Sequence, residues 1–189
     1  MPRLSDFSRF WCAGWVKSRR RSTFPRSPWG CFVPILNIQL AAQDPSGNQI
    51  PPLVALQQRG PIVQVSVSVE QNIAQQLLAQ GVPLPTPERG FALVDTGATS
   101  TCIDEAAAAR LNLPAIDVVT IASASHASTQ QNVHPIQIEV VGLPITISAS
   151  RAIAAPPAAQ GLVVLIARDV LQHCTLFYNG PAGSFSLSV

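Results

Sequence analysis

The sequence predicts an all-β domain with one or two short helices, and three observations lead there. Val, Ile and Thr are frequent from Pro61 onward, and their branched side chains suit a pleated, half-buried surface. The 17 prolines and 11 glycines divide the chain into short segments rather than long helices. Hydrophobic residues make up 47% of the 189 residues and charged residues only 12%, which supplies a core for one domain and argues against general disorder.

Residues 1–34 lack periodicity and carry the three tryptophans amid Pro, Ser and Arg clusters. They read as a basic, mobile extension, with the folded domain expected over 35–189. Seven basic side chains fall within residues 1–31 against Asp6 alone, whereas the rest of the chain carries a formal −4. No nucleic acid or membrane partner is firmly predicted, although such a basic head leaves contact with nucleic acid or anionic lipid open. A cytoplasmic setting is favoured, with targeting by residues 1–34 also left open.

The elements follow in order. "ILNIQLAA" (35–42) reads as a strand and "DPSGN" as the turn after it. "PIVQVSVSVE" (61–70) is the clearest strand, with Ile62 and the valines at 63, 65, 67 and 69 set against Gln64, Ser66 and Ser68. "NIAQQLLAQG" (72–81) has helical spacing, with Ile73, Ala74, Leu77 and Leu78 on one side and Gly81 as its stop. "FALV" (91–94) is a short buried strand. Asp104 can cap a helix over "EAAAARL" that ends near Asn112 and Pro114.

Strands are expected over 116–122, 133–141 and 144–150, the last two joined by a turn at Gly142. The small polar stretch 123–132 reads as the tip of a long hairpin, and 151–161 as a loop. "LVVLIA" (162–167) is an apolar strand and "RDVLQH" (168–173) a helical turn or two. The chain closes with a hairpin around Asn179-Gly180-Pro181.

Several chemistries find no support. Cys12, Cys31, Cys102 and Cys174 show no metal spacing with each other or with His126, His134 and His173, so no metal or other cofactor is expected. No G-x-S-x-G elbow and no Gly-rich phosphate loop occurs. What remains is "ALVDTGATS" (92–100), where an apolar strand ends in Asp95-Thr96-Gly97-Ala98, and "VVLIARDVL" (163–171) about seventy residues later.

Together these two stretches resemble the retropepsin-like aspartic proteases, the single-lobe family of retroviral and related cellular enzymes. Its signature is an apolar run, Asp-Thr-Gly-Ala and Thr/Ser, then an apolar pair with Gly-Arg-Asp/Asn and a helical turn. The resemblance spans roughly Pro61 to Val189. It implies a single-lobe acid protease barrel that dimerises to form its active site, since the chain contains a single Asp-Thr-Gly. It further implies that Asp95 is the catalytic acid/base and that Thr96, Gly97 and Ala98 build the active-site loop. Thr96 would bond across the dimer axis, and Ala98 would leave room for substrate backbone. The hairpin tip at 123–132 corresponds to the flap.

Arg168 and Asp169 are expected as structural support, a salt-bridged end beneath the site. Two departures stand out. Ala167 replaces the usual glycine, and Thr99 replaces the acidic residue that pairs with the motif arginine in retroviral members, leaving Asp104 as a candidate partner for Arg168. The function expected is an aspartic endopeptidase acting on a protein or peptide substrate as a homodimer. The strand at 184–189 is expected to offer an open edge for the second copy. The alternative is a catalytically inactive dimerisation or peptide-binding module on the same fold.

Overall fold

The computed structural model describes residues 34–123, 126–142, 144–155 and 161–188. Expectations for residues 1–33 lie outside the described residues. The chain begins with β1 (Ile35–Gln39), then β2 (Ala42–Gln43) and β3 (Gln49–Ile50), which pair around a turn at Asp44. Helix α1 (Pro52–Arg59), β4 (Ile62–Val69), α2 (Gln71–Ala79) and β5 (Glu88–Val94) follow. Next come β6 (Cys102–Asp104), α3 (Glu105–Arg110), β7 (Asp117–Ser123), β8 (His126–Val140) and β9 (Thr146–Ala155). The last elements are β10 (Leu162–Ile166), α4 (Arg168–Leu171), β11 (Thr175–Asn179) and β12 (Ser184–Ser188).

The main sheet runs β4-β5-β10-β6-β9-β8, and β8 pairs back with β4. Those six strands therefore close into a barrel, and β7 hangs from β8 outside the ring. Closure follows from the alternation in β4: Val63, Val65 and Val67 are fully buried while Gln64, Ser66 and Ser68 are half-buried. Ile136 and Ile138 of β8, Ile103 of β6 and Val164 and Ile166 of β10 meet those valines in one core. Each such side chain contributes about 1.5–3 kcal/mol on leaving water.

A second sheet, β1-β12-β11, packs on the barrel through Phe185 and Leu187, both buried. Helix α1 covers the same region with Ala55 and Leu56. Strand β12 is the middle strand, with Leu187 opposite Leu36 on one side and Leu176 on the other. The open edge expected at 184–189 is therefore already filled. β1 reaches back from the start of the domain to occupy it, so the outer edges of this sheet belong to β1 and β11.

The capped helices form where expected. Asp104 accepts a hydrogen bond from the Ala107 amide at 3.0 Å and Glu70 accepts from Asn72 and Ile73. Gly81 (φ 76°) ends α2, with the Val82 amide returning to the Leu77 carbonyl. Leu78, placed with the apolar side of α2, is instead exposed, because only Ile73, Ala74 and Leu77 touch the core.

Three other boundaries shift. β8 begins at His126 and pairs with β7, so most of the stretch 123–132 expected as a hairpin tip belongs to the strand ladder. A two-stranded ribbon needs no apolar alternation to form its ladder, which hides such a strand from a pattern search. β9 likewise continues to Ala155 through the expected loop, burying Ala152 and Ala154 while its end pairs in parallel with β6. α1 comes from a stretch to which no element was assigned. Among the described residues, no helix is long and apolar enough to cross a membrane.

Candidate active site

The site is assembled by one parallel pairing. β5 and β10 run side by side with Val94 opposite Ile166, so the residues that follow them emerge together. The Asp95 amide donates to the Ile166 carbonyl at 2.8 Å. That single register brings the two sequence stretches into contact across some seventy residues of chain.

Asp95 is half-buried at the end of β5, and Thr96 and Gly97 beyond it are exposed. The Gly97 amide donates to Asp95 Oδ1 at 2.7 Å. A Cβ on residue 97 would lie 3.1 Å from that same oxygen, so any side chain here would press on the carboxylate and shift it by a few tenths of an ångström. Ala98 is half-buried behind them. Thr96 and Ala98 make no contact within the subunit that assigns them a role in catalysis.

The loop is fastened to α4. The Arg168 and Asp169 amides donate to the Ala98 and Thr99 carbonyls at 3.2 and 3.3 Å. The Arg168 guanidinium donates to Thr99 Oγ1 at 2.7 Å. Asp104 is therefore not its partner, since that carboxylate is committed to capping α3. In place of the salt-bridged end expected at Arg168 and Asp169, both side chains bond threonines, Arg168 to Thr99 and Asp169 to Thr101. A hydroxyl suffices because the Arg168 side chain is exposed and keeps most of its hydration.

Thr101, absent from the expected site, is fully buried. Its amide and hydroxyl both donate to the Asp169 carboxylate, at 2.9 and 2.7 Å, and its Oγ1 accepts from the Ala167 amide at 3.1 Å. Ala167 is also fully buried, and its extended backbone (φ −107°, ψ −173°) needs no glycine. The signal for Thr101 was a polar residue followed by the apolar Cys102-Ile103, where a hydroxyl drawn into a strand requires partners.

Cys102 sits beside this network, half-buried. Its thiol pKa is pushed up first by burial and then by the nearby charges of Asp169 and Asp95. Cys174 is a second free, half-buried thiol, also raised by burial. The His134 ring faces the Pro114 carbonyl through Nδ1 at 3.0 Å and fastens the segment before β7. Among the described residues no group of three or more His, Cys, Asp or Glu could hold a metal ion.

A groove of about 640 Å³ passes the far end of the loop, lined by Ser100, Asp169, Val170, His173 and the outer residues of β9. Asp95 does not line it. Asp95 is half-buried, between the buried Val94 and the exposed Thr96. The β7–β8 hairpin projects from the barrel, and Arg151 of β9 pairs with Asp117 at its foot.

Comparison with known proteins gives the following. Residues 88–173 match the family described as "gag-polyprotein putative aspartyl protease". No curated protein sequence matches. Among solved structures, the chain is similar to the crystal structure of a retropepsin-like aspartic protease from Rickettsia conorii, at 10% identity and a TM-score of 0.43. That likeness covers 83% of this chain and 93% of the other.

Proposed function

Over residues 88–173 this chain belongs to the retropepsin-like aspartic protease family, and from that premise we propose that it is an aspartic endopeptidase acting as a two-fold homodimer. The observation that carries the reading is the presentation of Asp95. Its half-buried carboxylate follows β5, is held by the Gly97 amide, and begins a loop whose next two residues are exposed. With a single Asp-Thr-Gly in the sequence, one subunit offers half of a carboxylate pair, open to the other half.

In the dimer, the two Asp95 carboxylates would face each other across the axis and share one proton. Like charges about 3 Å apart cannot both ionise, the effect for which aspartic proteases are the type case. The ionised partner takes a proton from a water lying between them, and that water attacks the carbonyl carbon of the peptide bond. The protonated partner gives its proton to the carbonyl oxygen. As the tetrahedral intermediate collapses, a proton passes to the amide nitrogen, the C–N bond breaks and an amine and a carboxylic acid leave. No bond to the enzyme forms.

Thr96, exposed at the loop tip, would bond its counterpart across the axis, and Ala98 would leave space for substrate backbone. The β7–β8 hairpin, where the family carries its flap, would cover a bound peptide and keep bulk water out. A catalytically inactive peptide-binding module would present the same fold, and one experiment separates the two. Purified residues 35–189 are offered a denatured protein or peptide library beside Asp95→Asn. Cleavage that disappears in the variant supports the protease; equal binding without cleavage by either chain supports the module.

A further inference from the structure

Resting on the reading of Asp95 as the reacting acid, we propose that Thr101 is a positioning residue for the catalytic loop, acting through Asp169. The loop from Asp95 to Thr101 is held at its near end by the Asp95 amide on the Ile166 carbonyl. Between the ends, the bonds from α4 to the Ala98 and Thr99 carbonyls are long, at 3.2 and 3.3 Å. Apart from the exposed Arg168–Thr99 contact at 2.7 Å, the short, charge-assisted contacts gather at the far end, on Thr101.

Thr101 joins three separate pieces of chain. Its hydroxyl donates to Asp169 Oδ1 and accepts from Ala167, which lies between β10 and α4, while its carbonyl accepts from the Ile153 amide of β9. The Val170 amide donates to Asp169 Oδ1 at 2.9 Å and fixes that carboxylate's rotamer. The Thr101 and Ala167 side of this network is out of water, both residues being fully buried, while Asp169 is half-buried at the groove. Valine has the same shape as threonine but neither donates nor accepts. It would leave the Ala167 amide without an acceptor and one carboxylate oxygen without its hydroxyl donor, an arrangement that a buried network relieves by moving. The freed segment is the one carrying Asp95 and Gly97.

The test uses Thr101→Val, Thr101→Ser and Asp169→Asn in the full chain, with two readouts. In steady-state kinetics Thr101→Val lowers kcat about 10- to 100-fold, as expected for a reacting group displaced by a fraction of an ångström, with KM within about threefold. In amide hydrogen exchange the Gly97 N–H, bonded to Asp95, exchanges faster in Thr101→Val, whereas Val65 and Val67 in β4 keep their protection. Thr101→Ser restores both readouts. If Thr101→Val does not fold, Asp169→Asn, which keeps one carbonyl acceptor, shows the same two changes in smaller measure.

A Thr101→Val chain with unaltered kcat, or with lower kcat and unchanged exchange at Gly97, overturns the proposal. If wild type shows no cleavage that depends on Asp95, the protease reading falls, while the exchange measurement still decides whether Thr101 holds the loop.

Discussion

The Gly97 amide lies 2.7 Å from Asp95 Oδ1, and a methyl group on the Gly97 Cα would stand 3.1 Å from that same oxygen. One residue thus supplies the donor that orients the carboxylate and, by having no side chain, the space in which it sits. The backbone of Gly97 is not in the left-handed region, so the cost of a side chain there comes from proximity alone. Gly97→Ala is expected to fold, because residue 97 is exposed, and to lose about 100-fold in kcat through displacement of the acid. Circular dichroism beside steady-state kinetics checks both halves.

Half-sites mix. When wild type and Asp95→Asn chains are combined equally and allowed to exchange subunits, about a quarter of the dimers carry two intact acids. Activity per wild-type chain then falls to about half of that without the variant, whereas a self-sufficient subunit would keep it constant. A titration of Asp95→Asn into wild type measures this directly.

Gly183 has a positive φ of 61°, and a Cβ there would sit 2.1 Å from the Pro52 carbonyl carbon. The turn before β12 therefore packs against the start of α1 with no room for a methyl. Gly183→Ala is expected to destabilise the domain by about 1–3 kcal/mol, as overpacking against backbone does, without touching the loop chemistry. Chemical denaturation should show a lower midpoint at constant m.

The carboxyl of Asp117 is held below the ordinary range, first by the hydrogen bond from Arg151 and then by that from the Val118 amide. Its folded pKa is depressed, so its contribution to holding the hairpin foot is present above the unfolded value and fades as pH falls through the folded one. In Arg151→Gln the Asp117 carboxyl should titrate at higher pH. Carbon-detected NMR of the two proteins reads the shift.

The Cys102 thiol, raised by burial and by the Asp169 and Asp95 charges, stays protonated at neutral pH and is a poor nucleophile. Iodoacetamide should label it more slowly than the same residue in urea, and Asp169→Asn should speed labelling of the folded chain by removing one of the charges. Mass spectrometry of the 102-containing peptide follows the rate. An Asp169→Asn protein labelled at the wild-type rate would separate the thiol from that charge.

Much of this molecule was legible in its residues. β4 declared itself through alternating valines, because a strand with one face in the core must repeat every second residue. Asp104 marks a helix start because orphan amides need acceptors close by in sequence, whereas the cap at Glu70 went unread at the end of a strand. α1 carried signals as well, Pro52 at its first turn and Gly60 (φ 70°) at its end. It stayed unread because only Ala55 and Leu56 are buried, too few to show a helical period. The far half of the hairpin and the end of β9 were hidden for related reasons, one being a polar ribbon and the other built from small alanines.

Sequence alone determined the pieces whose cause is local: the Asp95 turn with its glycine, the apolar strands on either side of the barrel's core, and the capped helices. Only the tertiary structure decided who meets whom. The Val94–Ile166 register set Arg168 against Thr99 rather than Asp104, gave Asp169 to Thr101, and brought the Asp95 loop beside α4. The return of β1 filled the edge of β12. A turn or a face is fixed by neighbours a few residues away, whereas these partnerships join groups separated by 68 to 153 residues and exist only once the strands have chosen their order.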